Sequence, residues 1–282
     1  MVFQRAVAFI DVLGFREKIE TLPLDKLAFD YERVVGQIRS LNHPFGVAPG
    51  VTSLFPASAS NDSWCIQHIF SDSIIVVALG DDDESLLKLL VYVWRLTQSL
   101  LAFGMHPRGA VAFGEMYVNE RDGIFLGKAL TEAYMLEQSQ DWIGVALAPS
   151  MENRYGHLIQ PIASPSNGHP TFLVRHEVPL KRTDQTPVSW VLRLFPFTRY
   201  HRRALIVINW RWNLVAKAGS RALLPVSTKH EVRTKVANTM AYLKCIVASG
   251  ALYSLDQARL PAELRTIYIG DSEPPFKHGD NL

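Results

Sequence analysis

The apolar and polar positions of the first 62 residues alternate between a strand period and a helix period. The run Val7 to Val12 predicts a buried strand that ends at the sharp corner Leu13-Gly14-Phe15. Apolar residues three and four positions apart then predict a helix over 24–38. Proline, serine and asparagine crowd residues 42–62, a composition typical of a long loop, and a loop of this length in a compact domain often serves a function.

The next segment carries two short apolar runs, Cys65 to Phe70 and Ile74 to Leu79. The polar triplet Ser71-Asp72-Ser73 joins them, so the pattern predicts a β-hairpin with Asp72 at its tip. Acidic residues at 81–84 then favour the start of a helix, because carboxylates stabilise the positive end of the helix dipole. Three further elements follow: a strand over 108–117, a helix over 127–137 and a strand over 143–147.

This order of elements predicts an α+β fold of the ferredoxin-like type, with a mostly antiparallel sheet and helices on one face. We assign this core to residues 1–150. Residues 151–270 contain strand-like pieces between prolines, a strong strand at 204–210 and a helix over 232–247, and are predicted to form an extension or dimerisation arm continuous with the core. Residues 271–282 are predicted to be a disordered tail.

Composition narrows the class of protein. The chain has 282 residues, of which 48% are apolar and 20% charged, and this balance excludes a disordered or coiled-coil protein. Its two cysteines, Cys65 and Cys245, provide neither a disulfide framework nor zinc-site spacing. The longest apolar runs fall far short of the roughly 20 residues of a membrane helix, and the N-terminus lacks the features of a signal peptide. We therefore expect a soluble, cytoplasmic protein.

The formal net charge of +2 conceals two unlike halves. Residues 1–150 carry 11 Lys and Arg against 18 Asp and Glu, whereas residues 151–282 carry 18 against 9. An acidic half suits metal cations and a basic half suits anions such as phosphates. Two ordinary solvated faces would explain the same numbers, and charge alone leaves both interpretations open.

Asp11 and Asp72 are the candidate chemical pair. Asp11 ends the first predicted strand among apolar neighbours, where a carboxylate needs a cation or hydrogen-bond donors. If the hairpin lies beside that strand, Asp72 reaches the same edge of the sheet, and two carboxylates there can hold hard divalent ions such as Mg²⁺ or Mn²⁺. Gly14, which has no Cβ, would let backbone N–H groups approach a bound triphosphate. Taken singly, Asp11 could be a helix N-cap and Asp72 a turn residue.

Several motifs occur together in the order found in one enzyme family. They are Phe9-x-Asp11-x-x-x-Phe15, Phe70-Ser71-Asp72-Ser73, Arg108 to Gly114, Gly127 to Glu137, Ala204 to Trp210 and Asn238 to Leu243. The chain thereby resembles class III nucleotidyl cyclases over about residues 5–245. It is most similar to the bacterial pyrimidine cyclases of the Pycsar anti-phage system.

The resemblance implies two-metal catalysis, in which the ribose 3′-hydroxyl attacks the α-phosphate and expels pyrophosphate. Two Mn²⁺ or Mg²⁺ ions per site would be held by Asp11, Asp72 and the Val12 carbonyl. The backbone of Leu13, Gly14 and Phe15 would bind the β- and γ-phosphates. The implied catalytic set is Asp11, Asp72, Arg108 and Thr131, and the implied substrate-binding set adds Phe9 and His68 to the corner residues.

The chain departs from the general family pattern at several positions. The family's Asn and Arg, four residues apart on the helix after the glycine, are here Thr131 and Met135. Met135 cannot stabilise a developing negative charge, so another cation has to replace the arginine. The candidates are Arg108 and the cluster Arg199, Arg202 and Arg203, each of which could instead be an ordinary surface charge.

The base-reading positions also differ. His68 stands where purine cyclases carry Lys or Glu, and Ile124 stands where they carry an acidic residue. Both changes fit a pyrimidine base, although His68 could also be an ordinary strand histidine. The resemblance therefore implies a homodimeric uridylate cyclase with composite sites, which makes cyclic UMP from UTP as a defence messenger for a separate effector, without membrane or nucleic-acid partners.

Three alternatives stay open. The chain could make cyclic CMP from CTP, since one donor–acceptor reversal in the pocket decides between the bases. It could be a catalytically silent nucleotide-binding regulator, which Thr131 and Met135 would explain. A single-stranded RNA binder could share the order of elements, but it needs exposed aromatic residues on its central strands. This chain has Asp11 at the critical strand end instead, and its first half is acidic.

Overall fold

The computed structural model describes residues 2–40, 64–102, 105–163, 173–182 and 190–192, together with 233–235, 237–239 and 241–242. The predicted loop at 42–62, the strand at 204–210, the arginine cluster at 199–203, Cys245 and the tail from 271 lie outside these residues. Of the helix predicted over 232–247, the positions described are helical.

Strands and helices alternate along the described chain. In chain order they are β1 (Val2–Leu13), α1 (Phe15–Thr21), α2 (Leu24–Ser40), β2 (Cys65–Phe70), β3 (Ser73–Ala78), α3 (Asp83–Ala102), β4 (His106–Asn119), β5 (Ile124–Gly127), α4 (Lys128–Ser139), β6 (Gly144–Leu147), α5 (Pro149–Ala163), β7 (Leu173–Arg175) and β8 (Trp190–Leu192).

The described strands form one eight-stranded sheet. Their order is β2-β3-β1-β4-β6-β8-β7, and β5 pairs with β4 beside this row. The β4–β6 pair is parallel, and the other pairs are antiparallel. The sheet therefore continues past residue 150 through β7 and β8. The domain division predicted at that residue stays a prediction.

β1 lies inside the sheet, and its part from Ala6 to Val12 is covered on both faces. Its even-numbered residues from Ala6 to Val12 pack with apolar residues of α2 and α3, such as Leu27 and Leu89. Its odd-numbered residues face α4 instead, where Val7 packs with Ala129 and Phe9 with Ala133. The strand period of two thus separates the neighbours of β1 into two layers.

The predicted α+β class with a mostly antiparallel sheet is confirmed. The helices are not confined to one face, however, because α4 covers the face opposite α2 and α3. The small residues Ala129 and Ala133 let α4 lie directly against β1 and β4. None of the helices in the described residues is long and apolar enough to cross a membrane.

Within the described residues, the elements predicted from periodicity are present, with ends that differ by a few residues. The sequence patterns did not predict α1, β5, α5, β7 or β8 as separate elements. Three of these are strands of three or four residues, too short for an alternating pattern to stand out. Helix α1 has seven residues, of which Phe15 is the buried one, so it carries no apolar stripe.

The corner predicted at Leu13-Gly14-Phe15 is present between β1 and α1. Gly14 has φ 73° and ψ 15°, a left-handed conformation that side chains disfavour, and its carbonyl accepts a hydrogen bond from the Lys18 amide at 3.1 Å. The chain consequently turns within one residue, directly beyond Asp11.

Gly109 is required by close approach between β1 and β4. A Cβ at this position would lie 2.6 Å from the Phe9 carbonyl oxygen and 3.0 Å from the Ile10 side chain. Gly109→Ala should therefore lower the free energy of unfolding by about 2 kcal/mol, the usual range for overpacking, as measured by urea denaturation. Gly156→Ala in α5 is the matched control, because no atom lies within 4 Å of its added methyl group. Equal stability of the two variants would contradict this assignment.

Candidate active site

Asp11 and Asp72 lie side by side where β1 meets the β2–β3 hairpin. Asp11 is directly opposite Ser73 in the β1–β3 register. Next to it, the Val12 amide donates a hydrogen bond to the Asp72 carbonyl at 3.0 Å. The hairpin tip is thereby attached to the end of β1, and the structure brings together the two carboxylates that the sequence analysis paired.

Backbone groups join this arrangement. The N–H and C=O of one strand residue face the same neighbour, so the Val12 carbonyl is directed toward the hairpin tip, as a metal-ligand role would require. Ser71, at the tip, has φ 56°, a left-handed conformation that is unfavourable for a residue with a side chain. Strained backbone of this kind is common at functional sites.

The carboxylate of Asp11 sits in an unfavourable electrostatic environment. Burial, followed by the charges of Glu137 and Asp72, raises its pKa from 3.8 to about 6, and Arg108 only partly opposes the shift. None of the side-chain hydrogen bonds between described residues reaches Asp11 or Asp72. A bound cation would relieve this excess of negative charge.

The residues present fit a divalent cation whose ligand shell is completed by a substrate. The described residues contain no group of three or more His, Cys, Asp or Glu side chains that could hold a metal. A pair of carboxylates is nevertheless the usual protein contribution to a Mg²⁺ site, in which waters and substrate phosphates supply the other ligands. The pair Asp11 and Asp72, with the Val12 carbonyl, meets this description.

The corner residues differ in exposure. Gly14 is exposed with open space where a Cβ would be, Leu13 is half-buried, and Phe15 is buried with its ring 5.5 Å from that of Tyr31. Phe15 therefore fixes the corner to α2. Gly14, with this open space, follows Asp11 by three residues in the sequence.

Phe9 and His68 lie on the same face of the sheet as Asp11. Both are aligned with Ile75, through the β1–β3 and β2–β3 registers. The Phe9 ring meets that of Tyr134 edge-on at 5.4 Å, and the His68 ring lies 4.9 Å from that of Phe125. Both side chains are half-buried, so His68 is packed on an aromatic ring while part of it still contacts solvent.

Arg108 is directly opposite Asp11 in the β1–β4 register, but its guanidinium pairs with Glu137 of α4. Both side chains are buried, and Arg108 also donates to the Gln140 carbonyl at 3.3 Å. The Gln140 side chain in turn donates to the Gly109 carbonyl at 2.9 Å. This network joins α4 to β4 next to Asp11. It engages the guanidinium of Arg108, which was predicted from the sequence to be either a catalytic cation or a surface charge.

Thr131 and Met135 lie elsewhere, on the exposed side of α4. The Thr131 hydroxyl donates to the Gly127 carbonyl at 3.1 Å. Thr131 also lines a cavity of about 600 Å³ beside the ion pair of Lys128 and Glu115. Neither aspartate lines this cavity.

Glu137 and Tyr31 were not predicted from the sequence to belong to the site. Glu137 follows Ala129 and Ala133 at four-residue spacing and therefore lies on the apolar stripe of α4. A charged residue on such a stripe is the sequence feature that could have identified it. Tyr31 shares the buried side of α2 with Leu27 and Val34, and its pattern resembles ordinary core packing. Only the folded structure shows that both lie close to the aspartates.

No protein-family model matches the sequence, and no curated protein matches it. Among solved structures, the chain is similar to the catalytic core of a rhodopsin-guanylyl cyclase with converted specificity in complex with ATPalphaS. The identity is 9%, the match covers 68% of this chain and 97% of that one, and the TM-score is 0.47.

The buried pair Arg108–Glu137 gives a stability prediction. Glu137→Gln should lower the free energy of unfolding by about 3 kcal/mol or more, because it leaves the Arg108 charge buried without a counter-ion. Replacing both residues, with Arg108→Met and Glu137→Leu, should restore much of the loss. Denaturant unfolding measures both effects.

The control is Glu20→Gln, which breaks the exposed Arg16–Glu20 pair and should change stability by at most about 0.5 kcal/mol. If Glu137→Gln were as mild as this control, the buried pair would not anchor α4.

The raised pKa of Asp11 gives a pH prediction. Because its folded pKa of about 6 lies above the ordinary 3.8, the favourable contribution of the protonated carboxyl is complete below about pH 4 and is lost as the pH rises through 6. Asp11→Asn, which cannot ionise, should therefore match the wild type at low pH and exceed it at pH 7.5 by about 1–2 kcal/mol after solvent screening.

Urea denaturation in EDTA at several pH values tests this expectation. Asp122→Asn, at the exposed tip of the β4–β5 turn, controls for the loss of an aspartate from a turn. A stability difference for Asp11→Asn that did not grow between pH 4 and 7 would contradict the prediction.

Proposed function

We propose that the chain is a nucleotidyl cyclase that converts UTP to 3′,5′-cyclic UMP and pyrophosphate, with two divalent ions held by Asp11 and Asp72. The observation that carries this proposal is the attachment of the Asp72 tip to the end of β1 through the 3.0 Å bond from the Val12 amide. This bond holds together two aspartates whose carboxylates accept no side-chain hydrogen bond from a described residue. The corner at Gly14, which has open space at the Cβ position, follows Asp11 in the chain.

The reaction needs positioning and charge neutralisation, without a covalent intermediate on the protein. The ribose 3′-oxygen forms a bond to the α-phosphorus, the bond from that phosphorus to the β-phosphate oxygen breaks, and the hydroxyl proton passes to solvent. Bound Mn²⁺ or Mg²⁺ would supply the charge that favours both changes. Asp11 and Asp72 would orient the reacting end, and the backbone at Leu13, Gly14 and Phe15 would contact the β- and γ-phosphates.

The proposed base is uracil. His68 is half-buried on the same sheet face as Asp11, and a ring N–H of histidine can donate a hydrogen bond to a pyrimidine carbonyl. Phe9 on that face would contact the nucleotide. Cytosine is the alternative base, since it presents the opposite donor and acceptor pattern at one edge. A silent nucleotide-binding regulator is the other alternative, because Met135 has no charge and Arg108 is paired with Glu137.

We further propose a homodimer in which each site uses both chains. The cavity beside Thr131 does not include the aspartates, which favours a site where Thr131 from one copy faces the metal pair of another. The resemblance to Pycsar cyclases adds that the product would be a defence messenger made in the cytoplasm and detected by a separate effector protein.

Product analysis tests the proposed reaction. Purified protein is incubated with Mn²⁺ and each of ATP, GTP, CTP and UTP, and the products are separated by chromatography and identified by mass. We expect cyclic UMP and pyrophosphate from UTP, a loss of at least about 100-fold for Asp72→Ala because the metals lose a ligand, and full activity for the matched turn variant Asp122→Asn.

Each outcome selects among the proposals. Cyclic CMP would favour the cytidylate alternative, and tight nucleotide binding without any product would favour the regulator. Activity that survives in Asp72→Ala would contradict the metal site. Light scattering on the same preparation tests the assembly, because a monomer with full activity at nanomolar concentration would contradict the composite dimer.

A further inference from the structure

Tyr31 is a half-buried residue close to the carboxylate pair, and its hydroxyl has no part in the reaction described above. It lies on α2, where its ring packs at 5.5 Å from that of Phe15, the residue after the Gly14 corner. It also borders the apolar core that contains Leu27 and Val34. Tyr31 is thus fixed to the same corner that carries the proposed phosphate-binding backbone.

The hydroxyl of Tyr31 is buried without a hydrogen-bond partner among the described residues. Tyr155 shows the usual solution in this fold, because its hydroxyl donates to the Asp81 carbonyl at 2.7 Å. Buried hydroxyls are nearly always satisfied, and an exception calls for an explanation such as a missing ligand or water. Core packing alone would be served equally well by phenylalanine.

The charges that act on this hydroxyl are those of the two aspartates. Burial, and then Asp72 and Asp11, raise the pKa of Tyr31 to about 12. The phenol therefore keeps its proton at neutral pH and remains a hydrogen-bond donor. Carboxylates are acceptors, so the unsatisfied donor and the crowded acceptors are complementary.

We propose that Tyr31 is a positioning residue whose hydroxyl donates a hydrogen bond to the carboxylate of Asp72 when the site holds its divalent ions. This inference rests on the proposed function. Asp11 is held within a strand paired on both sides, whereas Asp72 lies at a two-residue turn, and its side chain is the one that needs an external support. Carboxylates that bind metals are usually oriented by a second hydrogen bond of this kind.

The test compares Tyr31→Phe with Tyr155→Phe, since each variant removes one buried or partly buried hydroxyl. Mn²⁺ affinity is measured without nucleotide from the paramagnetic resonance signal of free Mn²⁺, and apo stability from thermal unfolding in EDTA. We expect Tyr31→Phe to weaken Mn²⁺ binding about 10-fold, as loss of an outer-shell partner does, while its apo melting temperature stays unchanged or rises. Tyr155→Phe should lower the apo melting temperature and leave Mn²⁺ affinity as in the wild type.

The outcomes separate this inference from the proposed function. Wild-type Mn²⁺ affinity in Tyr31→Phe would overturn the positioning role alone, and a lower apo melting temperature in that variant with normal Mn²⁺ binding would assign Tyr31 to the core. If Asp72→Ala bound Mn²⁺ as tightly as the wild type, the metal site and the role of Tyr31 would be overturned together.

Discussion

The position of β1, paired on one side with β3 and on the other with β4, is the constraint on which the other features depend. Both faces of this strand are covered, so neither its register nor its direction can change without exposing apolar side chains. Asp11 therefore has a fixed place at the end of a rigid element. The hairpin tip is attached to that place by a backbone bond, which does not depend on which side chain occupies position 72.

The same constraint explains why the site is electrostatically unfavourable. A strand buried on both faces has little room for a charge, yet Asp11, Asp72 and Glu137 all lie near its end, with Arg108 committed to Glu137. The packing of the surrounding apolar core offsets the unfavourable free energy of these neighbouring charges. Proteins commonly accept such a loss of stability where a ligand will later neutralise the charge.

Local patterns were sufficient to predict β1 to β4 and β6, the helices α2, α3 and α4, the Gly14 corner and the approach of Asp72 to Asp11, because a short hairpin fixes its own register. The burial of Arg108 was not predictable, since its partner Glu137 lies 29 positions away and belongs to a helix on the other face. The role of α4 in covering that face was missed for the same reason. The periodicity of apolar residues shows which side of a helix or strand is apolar. Which element covers that side depends on how all the strands of the sheet are arranged.

The wide separation of β1 from β4 has a consequence for synthesis of the chain. During translation β1 emerges before its second neighbour, β4, which ends at Asn119, about a hundred residues later. Until then an apolar strand has an unpaired edge, a feature that promotes association between unfinished chains. Contacts so distant in sequence also slow folding. The arrangement that holds Asp11 rigidly in the finished protein thus leaves the nascent chain open to association until β4 has been synthesised.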